Sequence, residues 1–435
     1  MRHTGKILLG VLGIFFGGCA HPGPSTSYTA PAADWNRLQP WASALTADEW
    51  RAALDGRFAP NGVAQGYVEF TPDNHLAIWA QSGTPPKTPF IPSPAYEYLP
   101  LLSTNAPRPT PPPGARYWRA RAEMSPATPD KPLAGLHIAL DPGHLGGEWG
   151  PMEGRSFSFN GDSPVQEGDL ALHTAQLLAP RLEALGATVT FVRDRPGPVT
   201  TDRPENLLPQ AEAQWLATAT AKGGSSPPPG DPAREAAIKR LSETMFYGAS
   251  EINARARRVN DVLKPDLVLC MHLDAVDWPD PQHHALVDMP EHYHLMVNGA
   301  YLPSEIARPD EREALLERIA SGCDQEELAV ALALAEGSVP IFGQKASGYS
   351  LPTGVALGGN GYVWGRNLMA TRVYNCPVVF LEPYVANSVE GYAHIQAGEY
   401  SGTREFNGIP RKNIFVEYGD AVVAGLVNYY GKRLP

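Results

Sequence analysis

The sequence predicts an α/β fold, in which a mostly parallel central sheet carries helices on both faces and a small α+β module precedes it. Short continuous apolar runs occur at Leu136–Leu140, Leu267–Met271 and Val378–Leu381. Such runs are typical of strands that are buried on both faces. Longer segments with an apolar stripe at helical spacing lie between them, as at Gly168–Leu185. Strands that alternate with helices in this way indicate a layered α/β domain.

The alternation continues along the chain and predicts one large domain over residues 135–431. Gly186 ends the first long helix, and a strand is expected at Ala187–Val192. Further helices are predicted at Ile252–Leu263 and Glu326–Glu336. The strands and helices therefore follow one another in the order that an α/β sheet requires.

Two segments enlarge this domain and are interpreted as insertions, at about 196–247 and 276–344. The first is rich in Pro and Gly, and we expect a long loop there. Loops of this length are usually lids, binding loops or disordered segments. The sequence therefore leaves two hypotheses open, a lid over the site or a surface decoration.

A small N-terminal module of unknown role is predicted over residues 42–103. A short helix is expected at Leu45–Leu54, where Thr46 can cap the first turn and Glu49 can complete a capping box. Two strands are expected to follow the helix, at Tyr67–Thr71 and His75–Ala80. A proline-rich linker at 104–134, with one strand at Tyr117–Glu123, would join the module to the large domain.

The start of the chain is typical of an exported protein. Basic residues precede the apolar stretch Ile7–Phe16, which is too short to span a bilayer. Residues 1–18 are thus predicted to be a signal peptide, and Pro/Ser/Thr/Ala-rich residues 19–41 a tether. Small residues before Cys19 resemble the bacterial lipoprotein signal, which implies a lipid anchor on Cys19; Ala20 then favours the outer membrane. An ordinary cleaved signal peptide is the alternative.

The charge and the cysteines limit partners and chemistry. The net charge is −11, which argues against nucleic acid as a partner because phosphate backbones bind cationic surfaces. Cys270, Cys323 and Cys376 would allow one disulfide and one free thiol. Cys270 and Cys376 lie in or beside apolar runs, so we expect them to be buried free thiols.

Polar residues suited to chemistry follow three of the predicted strands. His144 comes after the first apolar run, His272 after Leu267–Met271, and Glu382 after Val378–Leu381. Ligands of open α/β sheets bind at the carboxyl ends of the strands. Two histidines and a carboxylate form an open zinc site, where the metal acidifies water and polarises a carbonyl. A second carboxylate would then take up the proton of the water.

The carboxylate ligand cannot be chosen from the pattern alone. Glu167 lies just before the first long helix, and Glu148 and Glu153 compete with it. A group of histidines after the third strand could be metal ligands, but we expect them to lie in an exposed loop (His283, His284, His292 and His294). His173 is expected to face solvent. Trp149 and Trp278 are near the proposed ligands and would either stack on sugar rings or simply pack.

Four blocks resemble, in order, the zinc N-acetylmuramoyl-L-alanine amidases of the amidase_3 family. The blocks are Ile138-Ala-Leu-Asp-Pro-Gly-His144, Gln166-Glu-Gly-Asp-Leu170, the helix Arg255 to Asn260 with the strand Asp266 to His272, and Cys376-Pro-Val-Val-Phe-Leu-Glu382 followed by Asn387-Ser388. The strand Ala187–Arg193 also resembles the second strand of the family. The departures are a longer stretch between His144 and Glu167 and the sequence Leu273-Asp274-Ala275 after His272, where the family usually has Ala-Asn-Ala.

The resemblance implies that residues 135–431 are a catalytic amidase domain. It implies Zn²⁺ held by His144, Glu167 and His272, with Glu382 as the catalytic acid–base. The reaction would be hydrolysis of the amide bond between the lactyl group of N-acetylmuramic acid and L-alanine in peptidoglycan. Two alternatives remain, a zinc carboxypeptidase-like peptidase, whose first two ligands would be a close His-x-x-Glu pair, and a non-catalytic peptidoglycan-binding lipoprotein.

Overall fold

The architecture comes from a computed structural model, which describes residues 33–79, 96–221, 227–278, 284–349 and 352–432. The described strands are β1 (Val68–Phe70), β2 (His75–Trp79), β3 (Tyr96–Pro100), β4 (His137–Pro142), β5 (Ser156–Phe157), β6 (Val165–Gln166), β7 (Thr188–Phe191), β8 (Leu267–Met271), β9 (His292–Val297), β10 (Lys345–Ala346), β11 (Val355–Leu357), β12 (Val363–Gly365), β13 (Val378–Pro383), β14 (Arg404–Phe406) and β15 (Ile409–Arg411).

The described α-helices vary from a single turn to twenty residues. They are α1 (Ala47–Ala53), α2 (Glu167–Ala184), α3 (Pro204–Ala221), α4 (Pro232–Met245), α5 (Glu251–Arg257), α6 (Pro303–Ile306), α7 (Pro309–Ala320), α8 (Cys323–Phe342), α9 (Met369–Val373), α10 (Val389–Gln396) and α11 (Ile414–Tyr430). Short 3₁₀ or π-helical turns occur at Trp35–Trp41, Leu54–Phe58, Pro60–Gly62, Arg121–Glu123, Gly147–Trp149, Phe246–Ser250 and Arg258–Leu263. No helix in the described part of the chain has the length and apolarity that crossing a membrane requires.

The central sheet has the strand order β11-β12-β9-β13-β8-β4-β7, with β10 paired to β9. Strands β7, β4, β8 and β13 are parallel, whereas β9 runs antiparallel to β13. The carboxyl ends of β4, β8 and β13 therefore share one edge of the sheet. The first residues of β9 reach that same edge, because its direction is reversed.

Helices cover both faces of this sheet. Apolar residues of α2, α8 and α11 pack on one face. The other face packs against residues of α5, the turn after it, the start of α8 and the region around α9. The alternation of apolar strands and amphipathic helices thus predicted the fold class correctly, including the mostly parallel sheet and the two helical layers.

The N-terminal module also has the predicted α+β character. Thr46 and Glu49 form the capping box of α1, and β1-β2-β3 form an antiparallel sheet. The sequence pattern missed β3. The strand predicted at Tyr117–Glu123 is wrong, since this stretch is irregular and ends in the turn Arg121–Glu123.

The module packs against the large domain through an apolar cluster shared with α7. The buried Arg57 adds to this contact, because its guanidinium donates to Glu327 of α8 at 2.6 Å and to the Asn298 carbonyl at 2.7 Å. The boundaries proposed for the domains stay predictions. The apolar cluster and the Arg57 bonds show that the module packs against helices α7 and α8 of the large domain.

The prediction of a long loop at 196–247 is wrong, because most of the described residues there form the antiparallel helices α3 and α4. Asp231 caps α4 by accepting from the backbone of Ala233 and Arg234, and Pro232 occupies the first turn. A small apolar cluster closes the hairpin (Leu207, Ala211, Trp215, Ile238, Leu241 and Met245). Pro204 and Pro232 begin the two helices, whereas Pro209 lies inside α3.

The second predicted insertion, 276–344, contributes β9 to the middle of the sheet and α8 to the core. It is therefore part of the structural framework that carries the site. Residues 1–32 lie outside the described residues. The signal peptide and the lipidation of Cys19 accordingly remain predictions.

Candidate metal centre

Three side chains predicted from distant positions meet at the carboxyl edge of the sheet. His144, Glu167 and His272 each offer a ligand atom, and these atoms lie within 4.8 Å of one another. His144 follows β4, Glu167 is the first residue of α2, and His272 follows β8. Because parallel strands end at the same edge of a sheet, the three residues meet there, as the strand-end argument predicted.

The backbone at the end of β4 is shaped for this cluster. His144 has a φ of 56°, a left-handed conformation that is uncommon for a residue with a Cβ. A Cβ on Gly143 would lie 2.2 Å from the His272 ring. Glycine is thus needed at 143 because the imidazole packs directly on the main chain.

Glu167 lies between the two histidines. Its Oε1 accepts from His272 Nδ1 at 2.9 Å and from the Leu273 amide at 3.3 Å. Its Oε2 lies 3.1 Å from His144 Nε2, yet this buried nitrogen has no partner of hydrogen-bond geometry among the described residues. Ligand atoms of a tetrahedral zinc ion are about 3.4 Å apart, so the donor set and the spacing fit a metal ion.

Electrostatics at the cluster also favour a cation. Burial would raise the pKa of Glu167, but His144 and His272 outweigh it and hold the pKa well below its usual value. Burial opposes a charge on His144, but Glu167 overcomes that effect and raises the pKa of this ring. Burial lowers the pKa of His272 to about 4. An ionised carboxylate beside a neutral imidazole is a suitable pair of ligands for a divalent ion.

Two buried arginines hold the loops that carry His144 and Glu167. Arg255 of α5 donates to the His144 carbonyl at 2.7 Å and to the Pro142 carbonyl at 2.8 Å. Arg193 donates to the carbonyls of Gly143, at 3.1 Å, and Gly168, at 2.7 Å. These bonds fix the end of β4 relative to the start of α2. Sequence reasoning noted both arginines in the family-like blocks but gave them no role.

The competing carboxylates take other positions. Glu153 lies 3.5 Å from His144 Nδ1 and accepts from the Leu145 amide at 2.8 Å, so it contacts the ring on the side away from Glu167. Glu148 is exposed on a 3₁₀ turn. Neither belongs to the group of three that can hold a metal. Glu153 is therefore placed to orient His144 rather than to replace Glu167.

Glu382 lies on the strand next to His272. The register pairs Leu381 with Met271, and the His272 amide donates to the Leu381 carbonyl at 3.0 Å. The side chain is 2% exposed, and it shares a sheet face with Phe380, on whose ring His272 stacks at 4.0 Å. On its other side, β9 places His294 opposite Glu382. The carboxylate thus lies between His272 and His294.

A second group at the same edge was not predicted, because its histidines were assigned to an exposed loop. Asp274, His292 and His294 also place ligand atoms within 4.8 Å of one another. The expectation that His292 and His294 lie in an exposed loop is wrong, because both are on β9. Histidines at alternate positions in His292-Tyr-His294-Leu-Met-Val share one face of a strand, and that signal was present in the sequence.

The remaining residues singled out are packing groups or surface groups. Trp278 is buried and contacts Phe157, Phe159 and His284. Trp149 packs against Phe246 at 5.3 Å. The part-exposed His173 bonds to Glu399. Cys270 and Cys376 are buried and form no disulfide among the described residues, as predicted, and the same holds for Cys323.

Comparisons with known proteins find similarity among solved structures, at low identity. The sequence matches no model of a protein family and no curated protein. Among solved structures it is similar to Ami1, an N-acetylmuramyl-L-alanine amidase from Mycobacterium smegmatis, with 15% identity and a TM-score of 0.37, over 69% of this chain and 98% of that chain.

Two further similar structures carry comparable descriptions. The CwlD amidase from Clostridioides difficile, solved in complex with the GerS lipoprotein, has 11% identity and a TM-score of 0.34, over 68% of this chain and 96% of that chain. The catalytic domain of the amidase CwlV from Bacillus (Paenibacillus) polymyxa var. colistinus has 10% identity and a TM-score of 0.33, over 67% and 94%. At these values the likeness assigns no activity to this chain.

Proposed function

We propose that this protein is a zinc-dependent N-acetylmuramoyl-L-alanine amidase that cleaves peptidoglycan between the lactyl group of N-acetylmuramic acid and L-alanine. The observation that carries the proposal is the meeting of His144, Glu167 and His272 at one strand edge, with Glu382 on the adjoining strand. These are the residues that the family resemblance requires. They lie far apart in the sequence, so chance alone does not account for their meeting.

The donor set suits zinc, since two imidazoles and one carboxylate leave a coordination position open. A zinc ion held there would polarise the scissile carbonyl and acidify the attacking water. The protein's part is to fix the three ligands. Glu153 orients the His144 ring, and Arg193 and Arg255 hold the backbone that carries it. Such supporting contacts tune both the geometry and the affinity of metal sites.

Glu382 moves the proton in this proposal. Its carboxylate accepts a proton from the attacking water as the oxygen adds to the amide carbon. It then gives that proton to the alanine nitrogen as the C–N bond breaks, so that a neutral amine leaves. The burial of Glu382 on β13 keeps the carboxylate in one place on the face that carries His272.

The proposed location follows from the substrate and from the start of the chain. Peptidoglycan lies outside the cytoplasmic membrane, and the predicted signal peptide would export the protein to the periplasm. A lipid on Cys19 would anchor it, by our proposal, to the outer membrane. The Pro-rich tether would let the catalytic domain reach the wall.

Digestion of purified peptidoglycan tests the proposed reaction. The full chain, loaded with zinc, should release stem peptides whose new amino terminus is L-alanine, with the glycan strands left intact. Glu382→Gln at equal zinc content serves as the matched control. New termini elsewhere in the peptide would instead identify a peptidase, and no cleavage by the zinc-loaded protein would favour a binding role.

A further inference from the structure

The second group at the sheet edge has the features of a ligand site. His292 Nε2 lies 2.6 Å from Asp274 Oδ2, and His294 Nδ1 lies 3.8 Å from the same oxygen. One nitrogen from each ring thus lies beside a single carboxylate oxygen. Two imidazoles and a carboxylate are a donor set for a divalent transition-metal ion.

One atom of the group is left without a partner. His294 is 1% exposed, and its Nδ1 makes no hydrogen bond within the described part of the chain. A buried polar atom that stays unsatisfied costs free energy and calls for an explanation. A metal ion between the ring and Asp274 would supply the missing interaction.

The surroundings already orient the ring for this role. The Tyr349 hydroxyl lies 2.9 Å from His294 Nε2. When Nε2 donates to that hydroxyl, Nδ1 carries the lone pair, which is the form that binds a metal. Ligand histidines usually have such a partner on the other nitrogen. The other Asp274 oxygen accepts from the Ala275 amide at 2.8 Å, which fixes the carboxylate.

The spacing requires only a small adjustment. Ligand atoms around a tetrahedral ion lie about 3.4 Å apart. The 2.6 Å contact of His292 with Asp274 would therefore open by less than about 1 Å, and the 3.8 Å contact of His294 would close by a few tenths. The His292 side chain is 13% exposed, against 1% for His294, so it is the more accessible of the two rings.

We infer that Asp274, His292 and His294 form a second metal site, which binds one divalent transition-metal ion of the zinc class on the far side of Glu382 from His272. Strands β8 and β9, next to His272 and carrying His294 respectively, are two strand spacings apart, about 10 Å, with β13 between them. Glu382 Oε2 lies 3.9 Å from His294 Nε2. The inference stands on this cluster alone and does not depend on the amidase reaction.

Metal content gives the direct test. Apoprotein of the full chain is loaded with zinc, dialysed and assayed for zinc per chain. We expect two equivalents in the parent and one in His292→Ala and in Asp274→Asn. Glu167→Ala should also retain one, and the double variant Glu167→Ala/His292→Ala none. His284→Ala, an exposed histidine of the preceding loop, is the matched control and should keep two.

Spectroscopy covers the case of a variant that folds poorly. Cobalt loaded into the parent should give a visible absorption whose intensity needs two equivalents to saturate, and crystals of the zinc form should show two anomalous peaks. One equivalent in the parent, lost with Glu167→Ala and kept in His292→Ala, would overturn the inference. The cluster would then be a hydrogen-bonded network only, whatever substrate the first site cleaves.

Discussion

The two histidine–carboxylate clusters at the sheet edge are built by opposite means. His144 and His272 follow parallel strands, and Glu167 begins the helix after one of them. Asp274 lies in the loop after β8, whereas His292 and His294 belong to β9, which runs the other way. The first cluster has two buried arginines behind it, and the second has Tyr349 beside it.

The difference shows that strand direction decides which residues meet at the edge of a sheet. Parallel strands bring their carboxyl ends to one edge, so a motif search at strand ends finds the first cluster. An antiparallel strand brings its start to that edge instead. Strand-end logic therefore overlooks the second cluster, although β13 pairs on one side with the strand that precedes His272 and on the other with the strand that carries His294.

Removal of the carboxylate at the first cluster should have the largest effect. Glu167→Ala takes away the group between His144 and His272, so one equivalent of metal and all measurable turnover should be lost together. Zinc analysis and muropeptide release measure the two. Glu148→Ala should change neither. Turnover near the parent level in Glu167→Ala would contradict this prediction and would indicate that the second cluster is the catalytic site.

The next largest effect is expected from the residue between the clusters. Glu382→Gln keeps the size of the side chain but cannot take up a proton, so turnover should fall by roughly 10²–10⁴-fold. Zinc content and thermal unfolding should match the parent. Should most of the activity persist, the base must lie elsewhere, and Asp274 would be the first residue to test.

The arginines that hold the first cluster should have a smaller effect. Arg255→Lys keeps a charge but cannot make the bonds to Asp141, Glu251 and the His144 carbonyl together. We expect zinc affinity at the first cluster to fall by roughly 10–100-fold, measured by chelator competition.

A control on the same helix sharpens this test. Arg257 is exposed, so Arg257→Lys should leave the affinity unchanged. The second cluster should keep its ion in both variants, since neither Arg255 nor Arg257 contacts that cluster within the described part of the chain. Equal loss from both clusters in Arg255→Lys would mean general unfolding rather than a local effect.

The smallest effect is expected from the helical hairpin α3–α4. Phe246, at the end of the hairpin, packs on Trp149, and Arg203 lies over the same ring at 5.3 Å, in the segment after His144. If the hairpin limits access, replacing residues 204–245 with a short turn should raise turnover on intact sacculi by a few-fold more than on a small soluble muropeptide. Equal changes on both substrates would remove the hypothesis that the hairpin limits access.

Much of the candidate site could be predicted because each of its residues adjoins a recognisable element. His144, His272 and Glu382 follow apolar runs, and Glu167 precedes an amphipathic helix. The choice of Glu167 over Glu153 was different. It came from the family resemblance, and only the structure shows Glu153 on the other nitrogen of His144. Which nitrogen a carboxylate reaches depends on how the loop folds back.

The sequence by itself determined the α/β class, the succession of the main strands along the chain and the capping of α1, because hydrophobic periodicity, apolar runs and helix caps are local properties. Only the tertiary structure decided that 204–245 forms a hairpin and that β9 lies antiparallel beside β13. Those outcomes depend on contacts between residues far apart in the chain. The meeting of Asp274 with His292 and His294 is of the same kind, since strand direction sets it and local sequence does not.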